Sequence, residues 1–195
     1  MRVLIVTEDH TRDRYLLEPI VKAMLADIGK SRAVIQTCAN PRLRGVSQAL
    51  DIAMIERILR QYRGMVDLFL LCVDRDGVES RRATIDRLET FAASQLPAKC
   101  VLIGENAWQE IEVWALAGLD LPKDWDWQAI RAERDPKERY FQPIAANRRL
   151  LDEPGEGRRT LGLEAARRYG RIRQLCPEDV QPFEQRVRGW IDGRT

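Results

Sequence analysis

Residues 68–77 read Leu68-Phe69-Leu70-Leu71-Cys72-Val73-Asp74-Arg75-Asp76-Gly77. Six apolar residues in unbroken succession predict a strand covered on both faces, because a strand with one wet face alternates apolar and polar positions. The run then breaks into two carboxylates two positions apart, followed by a glycine that lets the chain bend sharply. Taken alone, the break is an acidic turn, since Asp and Gly favour turns regardless of function. Its place directly after a buried strand opens a second reading. Residues i and i+2 leaving a strand end can both turn toward a hard cation, and carboxylate oxygens are what Mg²⁺ and Mn²⁺ prefer.

Outward from this run, the apolar stretches 3–6 and 100–103 read as two more strands, and 33–37 as a weaker one. Apolar residues at helical spacing predict helices over 13–28, stopped by Gly29, and over 50–62, ended near Gly64. Two further helices are expected over 80–94 and 107–117. Strands apolar on both faces, each followed by a helix, predict an α/β fold: a Rossmann-like sheet of about four mainly parallel strands flanked by helices. That pattern fills residues 1–118. Beyond Gly118 it changes to a Pro- and Trp-bearing connector and then to helices broken near 153–157, so 119–195 is expected to be an α-helical C-terminal extension packed on the same domain.

With 45% apolar and 32% charged residues the 195-residue chain has the composition of an ordinary globular domain. A net charge of +2 argues for no partner. Its distribution says more, because residues 158–173 hold six arginines against one glutamate, Glu164. The four cysteines are far apart with no CxxC pair, which suggests neither a zinc cluster nor a disulfide framework and suits a reducing cytosol. Residues 1–6 are too short for a signal peptide, and no stretch approaches the roughly 18 apolar residues of a membrane helix. A cytoplasmic protein without membrane contact is the expectation.

In open parallel sheets the working residues sit at the carboxyl ends of the strands. That rule singles out Glu8 after the first strand and Asp74 and Asp76 after the third. Capping of the following helix accounts for Asp9 or Thr11, whose short side chains suit a cap, but does not need Glu8. If the first and third strands are neighbours, Glu8 and the aspartates converge. Glu112 falls, on the expected helix 107–117, in an arc shared with Trp108, Ile111, Ala115 and Leu116, with Glu110 on the far side. A glutamate amid such residues must be paired, either with a metal or with an arginine. The chain has one histidine, His10, and no GxxxxGK[ST] or strand-borne GxGxxG motif, so every carboxylate-based site runs through a hard metal.

Glu8-Asp9 after the first strand, Asp74-Arg75-Asp76-Gly77 after a later one and Glu110-Ile111-Glu112-Val113-Trp114 resemble the Toprim domain of topoisomerases, primases and OLD-family nucleases. The likeness is greatest to small stand-alone bacterial Toprim-like proteins. It covers roughly residues 1–118, with departures: Asp9 stands where many such domains have glycine, and the further acid of the first loop is Asp13, five residues after Glu8. The resemblance implies that Asp74 and Asp76 hold Mg²⁺ or Mn²⁺. It implies Glu8 as metal ligand or general acid/base, Glu112 as completing or orienting the site, and Asp13 as a further metal ligand. Hydrolysis of nucleic acid, DNA before RNA, is the implied chemistry, possible together with a separate ATPase as in OLD-like phage-defence systems and in a homo-oligomer.

Arg42, Arg44, Arg158, Arg159, Arg167 and Arg168 would then contact phosphates, the alternative being a solvated helix face. Trp125 and Trp127 read either as a base-stacking platform or, with the better claim, as connector packing. Against the nuclease stands a non-catalytic binding or regulatory subunit of Toprim type. A phosphatase of haloacid-dehalogenase type fits less well, because its DxD follows the first strand, where this chain has Glu8.

Overall fold

A computed structural model describes residues 1–194. The apolar run forms β3 (Leu68–Asp74), and β1 (Arg2–Thr7) lies beside it, pairing Val3 with Leu68 and Thr7 with Cys72. β2 (Val34–Thr37) and β4 (Val101–Ala107) complete a four-stranded sheet of order β2-β1-β3-β4 in which every pairing is parallel. The fold is therefore α/β, with both faces of the sheet covered.

The alternation within β3 shows why its sequence had to be apolar throughout. Leu68, Leu70 and Cys72 join one core layer, while Phe69, Leu71 and Val73 join the other. The second layer is closed by α2 (Val46–Ala49), α3 (Ile52–Tyr62) and α4 (Arg81–Gln95), through residues such as Ile55, Ile58, Ile85 and Leu88. Asp51 caps α3 by accepting the Met54 N–H at 2.8 Å. α4 lies so close to β4 that a Cβ at Gly104 would stand 2.5 Å from Ile85 Cγ2.

The first layer is closed by α1 (Arg14–Asp27), α5 (Glu112–Gly118) and the C-terminal helices. These are α6 (Trp127–Ala132), a π-helical turn (Lys137–Phe141), α7 (Gln142–Asn147), α8 (Arg158–Ala166), α9 (Tyr169–Leu175) and α10 (Val180–Asp192). Leu161, Ile172 and Val187 share one cluster with Val3, Ile5 and Leu68: α8 packs on α1 and α5, α9 on α5, and α10 on β4, so the helices beyond 118 complete the same core. Trp125 stacks edge-on against Tyr140 at 4.9 Å, which is connector packing. Among the described residues no helix is long and apolar enough to cross a membrane.

Two boundaries differ from the sequence reading. β4 runs on from Ile103 to Ala107, because its ladder with β3 continues until Asp74 pairs with Ala107. The helix expected over 107–117 begins only at Glu112. Residues 108–111 form a turn in which Gln109 adopts φ 69° and its carbonyl accepts the Arg75 and Asp76 N–H groups at 2.8 and 3.1 Å. The polar letters Gly104-Glu105-Asn106 hid the strand, and a pairing between two loops displaced the helix start.

Candidate functional site

Parallel neighbours end on the same edge, so β1 and β3 deliver their carboxylates together. The Asp74 N–H donates to Glu8 Oε1 at 2.9 Å, and Asp74 Oδ1 accepts the Ile111 N–H at 2.8 Å. Asp13, in the loop after β1, accepts from Thr7 Oγ1 at 2.5 Å and from the Asp9 N–H at 3.0 Å. It pins that loop to the end of its own strand.

These groups load one another electrostatically. Burial pushes the Glu8 carboxyl up to about 7, assisted by the charges of Asp76 and Asp13 and opposed by the Asp74 N–H. Burial likewise raises Asp13 to about 6, with Glu112 and Asp9 adding to it. Asp74 is held well above the ordinary carboxylate range by burial, then by the charges of Glu112, Glu8 and Asp13. Glu110, whose Oε2 accepts the Lys137 N–H at 2.7 Å, is raised to about 7 by burial and by Glu112.

The other expected members have partners within the chain. Asp76 sits at φ 50° in the turn and accepts from Arg81 Nη2 at 3.0 Å. Arg81 is itself buried, and its Nε has no hydrogen-bond partner. Glu112 is buried against Arg158, whose Nε and Nη2 donate to Oε1 at 3.0 and 2.5 Å. Arginine therefore supplies the pairing that a buried glutamate requires, one of the two solutions open to the sequence. Among the described residues, no three or more His, Cys, Asp or Glu side chains stand in a metal-holding arrangement. The oxygen-only donor set Glu8, Asp74 and Asp76 suits a hard cation in chemistry, and Arg81 engages only the Oδ2 oxygen of Asp76.

The arginines divide. Arg158 is 3% exposed and cannot reach a phosphate, contrary to its expected place in a basic surface. Arg168 is paired with Asp120, and Arg173 with Asp27 and Glu184, so most of the local positive charge of 158–173 is neutralised internally. Arg159 and Arg167 are exposed without an ion-pair partner among the described residues, and Arg167 lines an open groove with α1 and β2, away from Glu8 and Asp74. Arg42 and Arg44 are different. Pro41 and Leu43 are buried, so the two arginines between and after them point outward, and neither has an ion-pair partner among the described residues. The Gly45 N–H at the end of that loop donates to the Glu8 carbonyl at 3.2 Å, tying the arginines to the candidate site.

Two residues that serve the site, Arg81 and Gln109, escaped the sequence reading. Arg81 looked like one charge in a charged helix. Gln109 closes the Asp-Arg-Asp-Gly turn with its backbone and, through Oε1, with the Gly77 N–H at 3.0 Å. Arg75 turns away from the carboxylates and lies over the Trp108 ring at 4.0 Å. The aspartates and the glycine at 77, which adopts φ 69°, advertised this turn in the sequence, but not the partner that closes it. Compared with protein-family models, curated proteins and solved structures, the chain matches none.

Proposed function

We propose that the chain is a metal-dependent nuclease of Toprim type, hydrolysing phosphodiester bonds in nucleic acid, DNA before RNA. The observation that carries this reading is the convergence of Glu8, Asp13 and Asp74 at one sheet edge, each raised by burial and by its acidic neighbours. Buried like charges are costly, and a divalent cation is the partner that relieves several at once. Glu8, Asp74 and Asp76 would hold Mg²⁺ or Mn²⁺, with Asp13 behind them. When bound, such an ion neutralises phosphate charge and lowers the pKa of a coordinated water.

The chain's own groups have distinct tasks in this reading. Glu8, its carboxyl raised to about 7 chiefly by burial, is either a ligand of the ion or, where it stays off the ion, the general acid/base of the neutral range. Arg42 and Arg44 engage phosphates flanking the site. Arg158 fixes Glu112 through two hydrogen bonds, so that Glu112 orients the site from behind. A cytoplasmic setting agrees with the four free cysteines. An ATPase partner, a role in phage defence and a homo-oligomeric state rest on family analogy alone.

The test is incubation with plasmid, single-stranded DNA and RNA in Mg²⁺ or Mn²⁺, beside Asp74→Ala. Divalent-dependent cleavage lost in the variant supports the site, and equal activity in both proteins overturns it. The second reading, a non-catalytic binding or regulatory subunit, is favoured by Asp76 and Glu112 already having arginine partners. Titration calorimetry separates the two. No divalent binding at millimolar concentration, together with a stable complex with a partner protein, selects the subunit.

A further inference from the structure

Trp108 follows directly on Ala107, the residue paired with Asp74, and its indole lies under Arg75, the residue between Asp74 and Asp76. Past it opens a cavity of about 490 Å³, walled by Trp108, Trp127, Arg131 and Leu175 and rimmed by Gln128 and Gln174. Trp127 is fixed in place because its indole N–H donates to the Leu175 carbonyl at 3.0 Å. Gln128 and Gln174 are exposed, and their side-chain amides have no hydrogen-bond partner in the described chain. Glu178, which also lines the cavity, holds Arg131 together with Asp179; the Trp108 ring has Arg75 over it at 4.0 Å and Arg131 at 5.5 Å, and of the two Arg75 has no ion pair among the described residues.

We propose that this cavity is a nucleobase pocket, and that the ligand drawn across the candidate site is single-stranded nucleic acid with Arg75 on the adjoining phosphate. A fixed aromatic wall offers a stacking face to any base, and free amides at the rim can pair with a base edge. A base inside a duplex cannot enter such a pocket without leaving its stack, so the unpaired strand is the form that fits. Arg75 links the two regions, being flanked in sequence by Asp74 and Asp76 and stacked on the pocket's first wall. The assignment of this strand as substrate rests on the nuclease reading, but its binding does not.

The experiment uses the full chain in EDTA, with an oligothymidylate, an abasic strand of equal length and charge, and a blunt duplex. Binding is read by anisotropy and by tryptophan quenching. Base-bearing single strand is expected to bind at least about fivefold more tightly than the abasic strand, and Trp127→Ala to remove that difference while abasic binding is unchanged. Gln128→Ala/Gln174→Ala, both at exposed positions, is expected to narrow the same difference in a chain that melts as the native one does. Equal binding of base-bearing and abasic strands, or a difference that survives Trp127→Ala and the glutamine pair alike, overturns the pocket. Cleavage in Mg²⁺ without base-dependent binding sinks the pocket and spares the nuclease. Base-dependent binding without cleavage in Mg²⁺ or Mn²⁺ does the reverse.

Discussion

Arg158 and Glu112 meet across 46 positions of sequence, with two donors on one carboxylate oxygen and both side chains almost sealed from water. The pair joins α8 to the start of α5 beneath the carboxyl edge of the sheet. Removing one partner strands the other as a buried charge, so Arg158→Ala is expected to cost about 3–5 kcal/mol in a denaturant melt. Arg158→Met with Glu112→Leu should recover most of that loss. A single variant costing under about 1 kcal/mol would show that water reaches the pair.

Asp74→Asn keeps an oxygen for the Ile111 N–H and removes the charge that faces Glu8, Asp13 and Glu112. The metal-free variant is expected to melt higher than the native chain at neutral pH, by about 2–4 °C per kcal/mol of repulsion relieved. Divalent-dependent cleavage should fall at least about a hundredfold. Scanning calorimetry and a gel assay read the two effects separately, and a variant both less stable and fully active contradicts the site.

Burial, with neighbouring carboxylates adding to it, fixes a pH dependence. Glu8 and Glu110 are raised to about 7 and Asp13 to about 6, so the fold favours their protonated forms. Their contribution is present in full below the ordinary carboxylate range and is lost as pH rises through about 6 to 7. Without metal, the melting temperature should therefore decline over that window, and Asp74→Asn should flatten the decline. Added Mg²⁺ should raise the melting temperature more at pH about 7.5 than at about 5, and a metal-independent profile would count against ligation.

Arg42→Ala/Arg44→Ala removes two exposed charges that no acid neutralises. Stability should change by less than about 0.5 kcal/mol. Nucleic-acid binding should weaken evenly across sequences, and the slope of log K against log salt should fall by about one per arginine. An unchanged slope removes this loop from the interface.

Gly162→Ala tests the packing of α8 on α1. A Cβ there stands 2.3 Å from the Tyr15 carbonyl oxygen, and backbone cannot yield as a side chain can. A loss of about 1–3 kcal/mol is expected. Gly170→Ala, with nothing within 4 Å, is the control and should be neutral or slightly stabilising.

Residues 68–77 alone were enough to predict a doubly covered strand ending in acid, since burial on both faces leaves its mark on every consecutive residue. With Glu8 after an equally apolar run, the sequence determined an α/β fold with parallel strands and carboxylates at their ends. The charge of 158–173 looked like a surface because spacing along the chain cannot reveal a partner 46 residues away. The tertiary structure alone decided that Arg158 turns inward to Glu112, that Arg81 takes Asp76, and that Gln109 starts a turn where a helix was expected. A strand's apolar periodicity is a local consequence of burial, whereas the partner of a charge depends on which distant elements the packing brings within a hydrogen bond's reach.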